Sequence, residues 1–229
     1  MGYVRWLGHS AFEIRVDDYT ILVDPWFSNP QSPVSVSEYK GKVDLVIVTH
    51  DHLDHLGDTV QILRLSPNAK FAAVYELANF VAEQLGDTSG RIVGANIGGP
   101  LRIPGIDLKV MFFPATHSSN RGAPTSVVIA GKEATLFHAG DTGLFAEMQF
   151  IGELYRPDIA MLPIGSHFTM DVVQAAKAVE LLKPRVAIPM HYNTFPVIEA
   201  SPQEFARLVA EKGLDTKVVI LKPGEVYEF

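Results

Sequence analysis

The sequence predicts an α/β (α+β) fold of two β-sheets with helices on the outside. Three observations lead there: short strand-like runs open the chain and recur in its middle, runs with helical spacing interrupt them, and helices alternate with apolar strands through the last third. Residues 3–7, 11–16 and 20–23 are separated by Gly8-His9-Ser10 and Asp17-Asp18 and read as an antiparallel meander. Residues 25–42, rich in Ser and Pro and without a steady period, read as a long loop carrying Trp26 and Phe27 near its start. The run 43–48, apolar except for Asp44, reads as a strand buried on both faces, and it leads straight into a histidine cluster.

Beyond that cluster the spacing predicts helices over 57–65 and 76–85, with a strand over 70–74 between them. A second meander is expected over 91–137, from strands at 91–93, 101–103, 108–113, 126–130 and 134–137. The last third predicts strands at 159–163, 186–189 and 218–221 and helices at 145–154, 172–182 and 202–211.

Composition limits the functions available to this fold. A chain of 229 residues that is 47% hydrophobic suits one domain, over 1–229, with a sizeable core. It contains no run of about 18 apolar residues to span a bilayer, and its N-terminus lacks the basic-then-apolar layout of a signal peptide, so a cytoplasmic protein without a membrane partner is expected. With no cysteine, any metal must be held by imidazole and carboxylate. The net charge of −7 and the absence of a Lys/Arg cluster argue against a nucleic-acid partner and favour a small-molecule substrate. A homo-oligomer remains open.

Chemistry concentrates in Thr49-His50-Asp51-His52-Leu53-Asp54-His55, where His50, His52, Asp54 and His55 set four candidate metal ligands within six residues. One ion cannot accept all four comfortably, so two neighbouring divalent ions are expected: zinc first, with manganese, iron or nickel also compatible. His50 and His52 can project to one side of a strand-to-helix turn while Asp54 and His55 move onto the opening helical turn. Burying so many titratable groups without a cation would be costly, which sets this cluster apart from a lone core histidine. His117, Asp141 and His191 share one placement, each just past the end of an apolar strand, as residues of a single active-site edge would be. A bridging carboxylate at Asp141 would hold the ions about 4 Å apart, with a water between them that ionises near neutral pH.

The His-x-His-x-Asp-His pattern at 50–55, with His117, Gly140-Asp141-Thr142 and His191, resembles the metallo-β-lactamase superfamily. Trp6-Leu7-Gly8-His9-Ser10, His138-Ala139-Gly140-Asp141-Thr142, Leu162-Pro163-Ile164-Gly165, Phe168-Thr169-Met170 and residues 189–196 resemble, more narrowly, a branch of metal-dependent hydrolases similar to the ascorbate-6-phosphate lactonases. The resemblance covers nearly the whole chain. It implies a four-layer αββα sandwich, with His50, His52 and His117 on one metal, Asp54, His55 and His191 on the other, and Asp141 between. Asp24 matches a position that orients the histidine loop through hydrogen bonds, the alternative being a turn carboxylate before Pro25. The chain departs from the branch at Ser166-His167, and the loop 118–125 is shorter than in many relatives.

Several residues carry two readings. His9 is either a substrate contact or acid beside the metals or a turn histidine, the first being favoured. His138, which strand alternation points away from Asp141, reads as a buried, hydrogen-bonded histidine. Tyr192 and Asn193 could donate to a developing oxyanion or simply pack their loop. Trp26 and Phe27 either wall the pocket or anchor the long loop, and His167 reads as an exposed loop residue. The expected reaction is hydrolysis of an ester, lactone or phosphoester of a small molecule, with Asp54 orienting the attacking hydroxide. The alternative is a nuclease or phosphodiesterase of the same fold. A flavodiiron-type redox enzyme is disfavoured, since such proteins carry Glu where His52 stands, and a non-catalytic metal-binding module by the full ligand set.

Overall fold

The structure, a computed structural model, describes residues 1–87 and 89–229. Its first half runs through β1 (Tyr3–Trp6), β2 (Phe12–Val16), β3 (Tyr19–Val23), β4 (Leu45–Ile47), α1 (Leu53–Leu56), α2 (Thr59–Leu65), β5 (Lys70–Val74), α3 (Tyr75–Leu85) and β6 (Ile92–Ala95). The second half runs through β7 (Lys109–Pro114), β8 (Thr125–Ala130), β9 (Thr135–His138), α4 (Met148–Tyr155), β10 (Ile159–Pro163), α5 (Val172–Leu182), β11 (Val186–Met190), α6 (Pro202–Glu211), β12 (Lys217–Val218) and β13 (Val226–Glu228). One sheet has the order β13-β1-β2-β3-β4-β5-β6 and the other β12-β11-β10-β9-β8-β7. The predicted class of two sheets with helices outside is the one observed.

Alternation along β4 shows why the layers stack as they do. Leu45 and Ile47 face the core between the sheets, whereas Val46 and Val48 face a second apolar cluster with Ile62 and Leu63 of α2 and Leu77, Ala78 and Val81 of α3. Both faces of the strand are therefore covered, and a continuous apolar run can be buried. On the far side Ala175, Val179 and Leu182 of α5 and Phe205 and Val209 of α6 close the second sheet. Both helices begin on side-chain caps: the Asp171 carboxylate accepts the Gln174 N–H at 2.7 Å, and the Ser201 hydroxyl accepts the Glu204 N–H at 3.1 Å. The bounds predicted for these two helices match the observed ones.

The second meander needs correction. Only β7, β8 and β9 form one; β6 instead pairs in parallel with β5 at the edge of the first sheet. Helix α3 lies between β5 and β6 and returns the chain to the same edge, a crossover that a strand-by-strand reading passes over. Residues 101–103 form no strand, although the Leu101 N–H reaches the Val110 carbonyl. At the C-terminus the strand expected over 218–221 is only the two-residue β12, which shares Val218 with it, and β13, which the sequence did not predict, pairs antiparallel with β1. The helix expected over 57–65 is α2, which starts at Thr59, and the short α1 precedes it as a separate helix because Gly57 takes a φ of 41° between the two. A Cβ at Gly57 would lie 2.5 Å from the Trp26 Cα, so glycine lets the long loop cross directly over this break.

The topology gathers the C-terminal ends of β3, β4, β9, β10 and β11 at one edge, followed by the loops that begin at Asp24, Thr49, Ala139, Ile164 and His191. Gly165 sits where two of these loops meet, and a Cβ there would run into the His191 carbonyl oxygen. Gly165→Ala is expected to lower stability by about 1–3 kcal/mol through overpacking, read as a lower denaturant midpoint at unchanged m-value. A midpoint equal to that of the parent chain would mean that this approach is looser than the structure has it.

Candidate metal centre

Asp24 ends β3 and is fully buried, with a backbone φ of 48° and its N–H on the Ile47 carbonyl. Its carboxylate accepts the Thr49 N–H at 2.8 Å, the Thr49 hydroxyl at 2.7 Å and His55 Nδ1–H at 2.7 Å. Of its two sequence readings, the contacts are those of a carboxylate that orients the histidine loop. Because the Thr49 hydroxyl proton goes to Asp24, His50 Nδ1–H must donate to Thr49 Oγ1, 3.1 Å away. The Nδ1 protons of His50 and His55 are thus both engaged, and each ring turns an Nε2 lone pair toward the centre of the cluster.

Two groups of candidate ligands result, with His50, His55 and Asp141 forming a third that overlaps both. His50, His52 and His117 bring their ring nitrogens together, with His52 Nδ1 lying 3.0 Å from His50 Nε2 and 3.3 Å from His117 Nε2. Asp54, His55 and His191 form the second group, which His9 joins. Asp141 lies between them: its Oδ2 is 3.5 Å from His117 Nε2 and 3.1 Å from His191 Nε2, and its Oδ1 is 3.1 Å from His55 Nε2. The structure brings together all seven residues expected to hold metal.

These close approaches do not satisfy the groups that make them. His55 Nε2, Asp141 Oδ1 and both ring nitrogens of His191 are buried without a hydrogen-bond partner, since the approaches to Asp141 lack hydrogen-bond alignment. Acceptor atoms facing one another at 3.1 Å require a positive charge between them. The pKa directions express the same demand. Burial opposes charge on both His55 and Asp141, yet their mutual attraction, with Asp24 beside His55 and His191 beside Asp141, lifts the imidazole well above its ordinary value and depresses the carboxyl well below its own. Imidazoles, carboxylates and orphaned lone pairs converging on shared points fit divalent cations of the zinc, manganese or iron kind.

The surrounding residues sort the remaining expectations. His9, fully buried with a φ of 53°, places Nε2 3.1 Å from Asp54 Oδ2 and shares a 2.8 Å hydrogen bond between Nδ1 and Thr194 Oγ1. Burial lowers its pKa to about 4 and that of His50 to about 3, keeping both rings neutral. Burial also opposes ionisation of Asp54, but the His9 hydrogen bond and the charge on His55 outweigh it and depress that carboxyl. His138 donates from Nε2 to the Ser10 carbonyl at 2.9 Å and accepts the Gly140 N–H at Nδ1, as expected of a buried, satisfied histidine.

Tyr192 stacks on Trp6 with ring centroids 5.4 Å apart, and the Asn193 side chain accepts the Ala200 N–H, so both contacts belong to loop packing. Trp26 and Phe27 divide the two roles between them. Trp26 stands edge-on to His9 at 5.2 Å, while Phe27 is buried against Tyr39 and anchors the long loop. His167 is exposed, with its ring against Phe168.

Sequence reasoning gave no role to Asp51, Gln31 or Thr194. Asp51 turns away from the metal-facing side and accepts from Ser119 Oγ, the Asn120 N–H and Arg121 Nη1 at 3.0, 2.8 and 2.8 Å, tying down the loop that carries His117. Its position between two inward-facing histidines was the available signal, since alternation sends the middle residue the other way. Thr194 and Gln31 come from distant loops and left no local signal.

A family profile for the beta-lactamase superfamily domain matches residues 19–192. The chain belongs to the metallo-β-lactamase superfamily. Among its relatives, metal-dependent hydrolases of Hyperthermus butylicus and Thermofilum pendens are 67% and 55% identical to it, each alignment covering 100% of both chains. A solved metallo hydrolase from Ignicoccus hospitalis is 45% identical, with a TM-score of 0.91 over 100% of this chain and 99% of that one. A solved isothiocyanate hydrolase from Delia radicum gut bacteria, 17% identical with a TM-score of 0.76 over 99% of this chain and 98% of that one, shares the fold. This superfamily member is a metal-dependent hydrolase.

Asp24→Ala would leave the Thr49 N–H, the Thr49 hydroxyl and His55 Nδ1–H without their acceptor. It is expected to cost about 2–4 kcal/mol of stability and to weaken metal binding about 10- to 100-fold. Chemical denaturation and metal titration check the two effects separately, and unchanged metal affinity would remove the orienting role.

Proposed function

We propose that this hydrolase acts through two divalent cations, zinc first, to cleave an ester, lactone or phosphoester of a small molecule. His50, His52 and His117 would hold one ion, Asp54, His55 and His191 the other, and Asp141 would serve both. The observation that carries this reading is the Asp141 carboxylate lying against His117 of one group and against His55 and His191 of the other, with buried atoms left unsatisfied on Asp141 itself, His55 and His191. When bound, the ions would supply Lewis acidity, polarising the scissile oxygen and lowering the pKa of the attacking water.

The chain's own residues have distinct parts in this scheme. Asp54, held ionised, would orient the attacking water and take its proton at Oδ2; His9, 3.1 Å from that atom, would share in the transfer or touch the substrate. Asp24 and Thr49 fix the tautomers of His55 and His50, so that Nε2 is the free ligand atom of each. His9, His50 and His55 are wholly buried, whereas the side chains of Asp54 and His117 are 27% and 11% exposed, so solvent and substrate would enter from their side. No helix among the described residues is long and apolar enough to cross a membrane, and a cytoplasmic enzyme with a small-molecule substrate, free to self-associate, is part of the same proposal.

Plasma mass spectrometry of the purified protein, run beside a screen of ester, lactone and phosphodiester probes, tests this reading. About two equivalents of metal with chelator-sensitive turnover are expected. Asp141→Ala should lower metal content and kcat/KM together, by about 100-fold or more in rate. Protein that takes up no zinc or manganese on reconstitution would sink the proposal, and full activity of the variant with one metal retained would remove Asp141 from its shared position.

A further inference from the structure

The loops that meet at the metal centre carry very little positive charge. Residues 7–11, 24–33, 49–58, 115–124, 139–147, 164–171 and 191–201 contain one Lys or Arg between them, Arg121. That guanidinium is already engaged: Nη1 lies 2.8 Å from Asp51 Oδ2, and its carbon stacks 3.9 Å above the Phe80 ring. The same loops place Glu147 and Glu199 on the surface in exposed positions. Enzymes that take phosphoryl or carboxylate groups provide arginine or lysine to receive the charge that the metals do not cover. The loops of this centre keep none free for it.

An aromatic shelf is there instead. The rings of Trp26 and Phe195 stand 6.0 Å apart at an interplanar angle of 30°, and both present themselves to His9, at 5.2 and 5.7 Å. His9 in turn touches Asp54 of the second ligand group. Trp26 is half-buried and Phe195 is 38% exposed, so the shelf keeps apolar surface open to solvent beside the reacting groups. Leu53, between His52 and Asp54 in sequence, is 78% exposed. Single exposed apolar residues are ordinary, but two facing aromatics against a candidate catalytic histidine make a patch with a use.

The shelf is held in place before any ligand arrives. Trp26 is fixed where its backbone crosses Gly57, with the Asp58 N–H on the Pro25 carbonyl and the Ser28 N–H on the Asp58 carboxylate. Phe195 is fixed by a tight turn in which its carbonyl accepts the Ile198 N–H, while the Asn193 N–H reaches the Ile198 carbonyl. A preformed aromatic surface favours a flat apolar group and offers nothing to an anionic one.

Building on the hydrolase reading above, we infer that the substrate is an uncharged carboxylic ester or lactone bearing a flat apolar group, which seats on Trp26 and Phe195. In the reaction the oxygen of water bonds to the acyl carbon and the bond from that carbon to the leaving oxygen breaks. The leaving oxygen keeps the electron pair and takes a proton, giving a carboxylic acid and an alcohol or phenol, both carried by one molecule when the substrate is a lactone. Trp26 and Phe195 are specificity-determining in this assignment and do not touch the reacting atoms.

The test compares the zinc-loaded protein on dihydrocoumarin, an aromatic lactone, on γ-butyrolactone and on bis(p-nitrophenyl) phosphate. The value of kcat/KM for dihydrocoumarin should exceed each of the others by about tenfold or more, and Trp26→Ala and Phe195→Ala should each raise KM for dihydrocoumarin about tenfold but that for γ-butyrolactone under about threefold. Metal content equal to that of the parent chain shows that the variants remain folded at the site. A second measurement needs no turnover: dihydrocoumarin should quench tryptophan fluorescence saturably in chelator-treated protein, and Trp26→Phe, which leaves only Trp6, should abolish the quench.

A preference for the phosphodiester, or kinetics and quenching indifferent to Trp26 and Phe195, would overturn the assignment while leaving the hydrolase reading intact. Turnover of none of the three probes with the quench present would support the shelf and count against the hydrolase chemistry. Loss of both would overturn the seat itself.

Discussion

The arrangement of this protein depends on a carboxylate with no access to water. Asp24 lies at the end of β3, wholly buried, and receives three hydrogen bonds, two from Thr49 and one from His55. A buried carboxylate is tolerable only with its lone pairs satisfied, and here the donors come from the loop that carries the histidines. Burial raises the pKa of Asp24, but the neighbouring His55 charge and its hydrogen bond overcome that and lower it. The interaction thus works in two directions: the loop keeps the charge soluble in the core, and the charge fixes the loop. Through Thr49 the influence extends further, since its carbonyl accepts both the N–H and the hydroxyl of Thr125 from the start of β8, joining the two sheets beside the cluster.

From that anchor the site is assembled as two kinds of histidine. His138 has both ring nitrogens satisfied by backbone groups and serves only the fold. His50 and His55 have one nitrogen satisfied and the other directed inward, while both ring nitrogens of His191 are left without a partner. The difference lies in what the second nitrogen faces. Around Asp141 it is a carboxylate oxygen, and a proton or a metal cation between the two makes that arrangement favourable. Local backbone strain marks the same places, with His9, Asp24 and His191 all at φ values near 50°, a region that non-glycine residues enter sparingly and that clusters at functional sites.

Much of this was legible in the chain. The buried run at 43–48 followed by His50, His52, Asp54 and His55 announced a strand ending in a ligand-bearing loop, and the structure has that strand at β4 and that loop turning into α1. The helices after Asp171 and Ser201 were legible because their caps are local: one side chain and one N–H three residues on. Elements whose partners are remote were misread. β6 passed for part of a meander because its four residues reveal nothing about which sheet they join. β13 was missed because it exists only through pairing with β1, more than two hundred residues away.

The functional residues divide along the same line. Sequence by itself determined the candidate ligand chemistry and its density, because imidazole and carboxylate placed within six residues are constrained by covalent spacing to converge on one site. It also determined that no thiolate could take part, there being no cysteine. Only the tertiary structure decided that Asp141 faces both ligand groups, that Thr194 and Gln31 back His9, that Asp51 serves the His117 loop, and that Trp26 and Phe195 face each other across His9. These are contacts between loops that leave different strands, and their partners are chosen by sheet order and crossover, for which the local spacing of residues holds no record.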